Sequence, residues 1–126
     1  MQLALKDNLP FAAVTLAYQG AQVTIENVLV DTGSARTIFA ADVVANINIT
    51  PAPDDILYTI RGVGGTEVVF SRQVDYVQLG ERQLSHFEIE VGGMDYGFDI
   101  QGILGMDFLQ QAGVILNLAA LEITFE

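Results

Sequence analysis

Glycine-marked breaks between short β-prone segments constrain this chain more than any other feature. Phe11 to Tyr18 is apolar with β-branched residues mixed in, and Gln19-Gly20 closes it as a turn. Ala21 to Val30 follows, with Val23 and Ile25 alternating against Gln22, Thr24 and Glu26. Two strands around a short glycine turn predict a hairpin. Thr37 to Phe39, Ile56 to Ile60, Glu67 to Phe70, Val74 to Leu79 and Leu84 to Val91 read as further strands, with Gly80-Glu81 joining the last two. Val114 to Leu118 and Leu121 to Phe125 end the chain, and Leu121, Ile123 and Phe125 share one face by period two. Helix is scarce. Ala41 to Ala45 makes one turn, and Met106 to Gln111, ended by Gly113, is the best candidate. Many short strands with little helix predict an all-β sandwich or closed barrel with one short helix near the C-terminus, a single domain over 1–126.

Composition narrows the function classes. A chain of 126 residues, 51% hydrophobic and 17% charged, can bury a real core. Sixteen acids against five bases give a net charge of −11, which repels nucleic acid and anionic membranes alike. There is no cysteine and only one histidine, so disulfides, thiolate metal sites and a multi-histidine site within one chain are excluded. No metal or other cofactor is expected. His86 reads as an edge residue, and Asp54-Asp55 as a loop tip without the convergence that a calcium site needs. No stretch approaches the roughly 20 apolar residues of a membrane span. Met1 to Asp7 does not read as a signal peptide, so a soluble, cytoplasmic protein is the expectation.

Three short motifs carry chemistry. In Leu29-Val30-Asp31-Thr32-Gly33-Ser34 an acid stands where an apolar strand stops. A carboxylate in that position needs hydrogen bonds around it. Thr32 and Ser34 bring hydroxyls, and Gly33 lets the backbone come close. An ordinary Asp-Thr-Gly turn looks the same in isolation. Downstream, Gly62-Val63-Gly64-Gly65 sits between two β-prone segments as a hairpin tip. Ile103-Leu104-Gly105 then precedes the helix candidate.

In this order the motifs resemble the retropepsin-like aspartic proteases across nearly the whole chain. Asp31-Thr32-Gly33-Ser34 is similar to their catalytic turn, Gly62 to Gly65 to their flap tip, and Ile103-Leu104-Gly105 to the element that crosses behind the catalytic loop. The resemblance implies a closed β-barrel with a glycine-rich flap hairpin and an aspartic endopeptidase activity without cofactor. It implies that Asp31, Thr32 and Gly33 form the catalytic turn. Ser34, Gly62, Val63, Gly64 and Gly65 then contact a peptide substrate, while Ile103, Val30 and Ile38 line its side-chain pockets. Only one Asp-Thr-Gly turn is present, so the second carboxylate of a dyad has to come from another copy of Asp31 in a two-fold homodimer. The terminal strands are expected to serve the joining sheet. An acid within the chain, Asp99 or Asp107, is the weaker source of a second carboxylate; Asp107 fits better as a favourable acid at a helix start, and Asp99 as a cap on the turn before Ile103.

Two positions depart from the viral pattern of that family. Viral members carry an acid two residues after the turn's glycine and an arginine after the apolar-apolar-glycine element, whereas Ala35 and Met106 stand here. Losing both together is coherent, since one alone would leave a charge unpaired. It makes Ile103-Leu104-Gly105-Met106-Asp107-Phe108-Leu109 more similar to the cellular and bacterial branches, such as the DNA-damage-inducible type. Arg36, at the edge of the turn, reads as a solvated surface residue in preference to a substrate contact. The alternative from another class is a dimerisation or peptide-binding module on the same fold with little or no proteolysis.

Overall fold

The computed structural model describes residues 1–62, 65–94 and 99–126. Its strands are β1 (Ala4–Lys6), β2 (Leu9–Tyr18), β3 (Ala21–Val30), β4 (Ile38–Ala40), β5 (Tyr58–Gly62), β6 (Gly65–Leu79), β7 (Arg82–Gly92), β8 (Gly102–Leu104), β9 (Val114–Asn117) and β10 (Glu122–Phe125). Helix is confined to α1 (Ala41–Val44), a 3₁₀ turn at Ala45–Ile47, and α2 (Met106–Gln111). Eight strands form one sheet in the order β1-β2-β3-β8-β4-β7-β6-β5, and an added β2–β6 pairing closes six of them into a ring. The expected all-β barrel with a short helix near its end is what forms. Among the described residues no helix is long and apolar enough to cross a membrane.

The hairpin of β2 and β3 turns at Gln19-Gly20, both at positive φ. Such paired left-handed residues match the twist of the strands they join. The same device, Asp7-Asn8 with both φ positive, folds β1 onto β2 by the pairs Lys6↔Leu9 and Ala4↔Phe11. β1 lies outside the strands that the sequence predicts, which start at Phe11, because Asp-Asn carries no glycine to mark the turn.

A larger difference lies in β6. It runs unbroken over fifteen residues, where two strands separated at Ser71 to Gln73 were expected. All three polar side chains there are paired rather than looped out, Gln73 through its side-chain amide, which donates to the His86 carbonyl at 3.3 Å. The Ser71 hydroxyl meets that of Tyr58 at 2.7 Å. The Arg72 guanidinium donates to Asp55 Oδ2 at 2.7 Å and to the Thr50 carbonyl at 3.0 Å, while lying over the Phe70 ring. Arg72 thus pins the 50–57 segment to the barrel. Exposed Ile56 and Leu57 belong to that segment and not to a strand. Arg72→Ala is expected to cost about 2–3 kcal/mol, since it leaves the largely buried Asp55 carboxylate without its cation and with the Ala52 amide as its remaining partner. Urea unfolding measures it.

Two apolar clusters fill the fold. The larger holds Val14, Leu16, Ile25, Val30, Phe39, Leu104, Phe108 and Ile123, with Phe87 and Phe108 meeting edge to face at 5.7 Å. The smaller holds Phe11, Ile38, Ala40, Val69, Met94 and Ile100, with Leu29, Ile60 and Ile103 against it. It joins the base of the β5–β6 hairpin to the strands around the end of β3. The chain ends pair with each other. β10 lies against β9, and the Met1 and Leu3 backbones bond to Ile123 and Leu121.

Candidate active site

Asp31 follows β3 directly and is half-buried. Its amide donates to the Leu104 carbonyl at 3.0 Å, which continues the parallel β3–β8 ladder by one rung beyond Val30↔Leu104. That rung fixes where the acid leaves the sheet. The chain then turns, with the Ser34 amide donating to the Asp31 carbonyl at 3.2 Å. Inside the turn the Gly33 amide donates to Asp31 Oδ1 at 2.9 Å. Oδ2 has no partner among the described residues, so one carboxylate oxygen is held and the other is available. The hydrogen bond to the acid therefore comes from the Gly33 backbone. The Ser34 hydroxyl, expected to face the acid, donates to the Arg36 carbonyl at 2.8 Å instead. Thr32 and Gly33 are exposed.

Behind the turn stands a second layer. Thr37 is fully buried, and its hydroxyl donates to Asp107 Oδ1 at 2.7 Å while accepting the Gly105 amide at 3.0 Å. Asp107 Oδ2 accepts the Thr37 amide at 3.1 Å, and Oδ1 also takes the Phe108 amide at 2.7 Å. The Met106 amide donates to the Ser34 carbonyl at 2.8 Å. Asp107 is thus the N-terminal acid of α2, as expected, and also the brace that ties α2 to the loop after Asp31. From sequence, Thr37 is only the first residue of an expected short strand. Nothing in a single sequence marks a threonine six residues after the acid as its brace. Asp99, the other acid weighed for a dyad, accepts the Asn27 side-chain amide at 2.7 Å.

Arg36 is not merely solvated. Its guanidinium donates to Glu88 at 2.9 Å and lies 3.7 Å from both Glu90 and Asp107. Burial alone would lower its pKa, but the Glu88 hydrogen bond and the nearby carboxylates outweigh that and raise it. Glu90 takes the Tyr58 hydroxyl at 2.8 Å. Partial burial is the main reason that the Tyr58 phenol lies above its ordinary range, and the Glu90 carboxylate adds to it.

The pocket candidates sit at different depths. Ile38 and Ile103 are direct neighbours across β4 and β8, and Ile103 also faces Leu29 of β3. Ile38 and Ile103 belong to the smaller cluster beside the acidic turn, whereas Val30 is 5% exposed within the larger core. Gly62 and Gly65 are paired at the end of the β5–β6 ladder. Val63 and Gly64 lie outside the described residues. Glu67, on the same hairpin, accepts the Met94 amide and so ties β6 to the chain beyond β7.

Compared with known families, residues 14–108 match the model described as aspartyl protease. The matched span runs from within β2 to within α2, and includes Asp31 and the Ile103-Leu104-Gly105 element. No curated protein matches the chain.

Proposed function

The chain belongs to the aspartyl protease family, and on that premise we infer that it is an endopeptidase whose water is activated by two Asp31 carboxylates, one from each subunit of a homodimer. Residues 1–126 act as one domain in this reading. The carrying observation is Asp31 at the end of β3, with one oxygen held by the Gly33 amide and the other without a partner among the described residues. One carboxylate cannot both accept a proton from water and polarise the scissile carbonyl with a proton of its own. Asp107 and Asp99, the acids within the chain weighed for the second role, are engaged by Thr37 and Asn27. A second copy's Asp31 fills it. Two such groups at close range cannot both be charged, so the pair shares one proton, a coupling for which aspartic proteases are the standard example. The charged member takes the proton of water as it attacks. The protonated member donates to the carbonyl oxygen.

Thr32 would bond across to the partner turn, and Gly33 and Ser34 would hold substrate backbone. Ile103 and Ile38 would line side-chain pockets with Val30 behind them, and Gly62 to Gly65 would cover the substrate. The resemblance of Ile103 to Leu109 supports a reading nearer the cellular and bacterial branches, such as the DNA-damage-inducible type. A peptide-library cleavage assay, with and without a transition-state analogue such as pepstatin, tests the activity. Inhibitable turnover supports it. Binding without turnover supports a peptide-binding module instead.

Assembly has its own prediction. Two chains of −11 repel each other near neutral pH. Dimerisation is therefore expected to strengthen with added salt or mild acid. Sedimentation across salt and pH checks it, and a salt-independent dimer would place the charge away from the interface.

A further inference from the structure

Residues paired across neighbouring strands share a face. The registers Leu29↔Ile103, Ile38↔Ile103, Ile38↔Glu90 and Ser71↔Glu90 therefore set five side chains in one row across β3, β8, β4, β7 and β6. The first three are apolar and lie beside the acidic turn. The row then becomes polar at Glu90, which is 3% exposed. A carboxylate at that depth needs partners. Arg36 approaches Oε1 from the loop after the acidic turn, and Tyr58 donates to Oε2 from the start of β5. Ser71 supplies a second partner to the Tyr58 hydroxyl. On its backbone, Glu90 donates to the Thr37 carbonyl at 2.9 Å, at the residue braced by Asp107.

Glu90 is thus bonded to both sides of the site. One side is the loop that carries Asp31, and the other is the base of the β5–β6 hairpin. Among the described residues β5 is the edge strand, with a ladder to β6 alone. The bond from the Tyr58 hydroxyl to Glu90 ties that strand to β7 outside the β5–β6 ladder. We propose that Tyr58 is a positioning residue which, through Glu90, fixes the base of the hairpin relative to the acidic turn. This rests on the peptidase reading above, because it assigns Tyr58 an effect on that reaction. Without the tie the hairpin can shift while every ladder bond stays intact. Misplacement of about 1 Å is enough to cost up to about a hundredfold in rate.

The test compares the wild type with Tyr58→Phe and Glu90→Gln. It measures melting temperature, kcat and KM on a peptide from the cleavage screen, and amide hydrogen exchange. Tyr58→Phe keeps the ring and is expected to lower kcat/KM about tenfold, chiefly through kcat. Exchange should rise both in β5 and at Gly33-Ser34. Glu90→Gln keeps an oxygen acceptor for Tyr58 and is expected to lose about threefold or less. If Tyr58→Phe does not fold, Ser71→Ala replaces it, with about a threefold loss expected from weakening the same tie. A merely structural Tyr58 lowers the melting temperature and leaves kcat and KM of the folded enzyme unchanged. That result, with an active wild type, overturns the positioning role alone. A wild type that cleaves no peptide overturns the peptidase reading and the positioning role with it.

Discussion

Asp31→Asn is expected to leave the fold standing and to reduce peptide cleavage by about 10³-fold or more. Asparagine is nearly the same shape, and its side-chain oxygen can still accept the Gly33 amide that now bonds Oδ1 at 2.9 Å. The turn should persist, with stability within about 1 kcal/mol of the wild type. What goes is a group able to exchange a proton with water. Thermal melting and a cleavage assay separate the two effects, and full activity would remove Asp31 from the chemistry. Mixing sharpens the result. If two copies share the site, wild type co-refolded with an equal amount of Asp31→Asn retains about a quarter of the activity of the same total of wild type. Chains acting singly would retain about half. The mixture therefore distinguishes a dyad across two chains from one within a chain.

How much of this was legible depends on where the interactions run. β3 and α2 form with the expected bounds because their signals are local: alternation ending at an acid in one, and a short stretch closed by Gly113 in the other. β1 was hidden because its turn uses Asp7-Asn8 in place of glycine. β6 looked interrupted because Ser71 and Arg72 are polar, yet their partners, Tyr58 and Asp55, are over a dozen residues away. The same limit applies at the site. The Asp31 turn is a local motif and stood out at once. Its brace, Thr37 with Asp107, spans seventy residues. Arg36 read as solvated because Glu88, Glu90 and Asp107 reach it only through the fold.

Gly105→Ala is expected to destabilise the protein by about 3 kcal/mol or more, and to abolish activity in whatever fraction still folds. Backbone freedom is not the reason. Gly105 sits at φ −94°, ψ −177°, an extended conformation open to any residue. The reason is space. A Cβ there would lie 2.4 Å from the Arg36 carbonyl oxygen, 2.6 Å from its carbon and 2.9 Å from its nitrogen. These are backbone atoms, so no side-chain rotation relieves the clash. Either α2 or the loop after Asp31 has to move. Both are held at that point by the Gly105 amide on Thr37, the Met106 amide on Ser34 and the Asp107 carboxylate on Thr37. Moving either one breaks part of the brace, and the displaced loop begins only a few residues from Asp31. Gly20→Ala makes a useful control. There a Cβ meets nothing within 4 Å, and only the positive φ of 85° is strained. Its cost should be about 1 kcal/mol with cleavage unchanged. Chemical denaturation and the cleavage assay, run on both variants, separate a conformational penalty at a remote turn from a steric one behind the acid. Equal losses in the two would mean that the close approach of Gly105 to Arg36 does not hold the acidic turn in place.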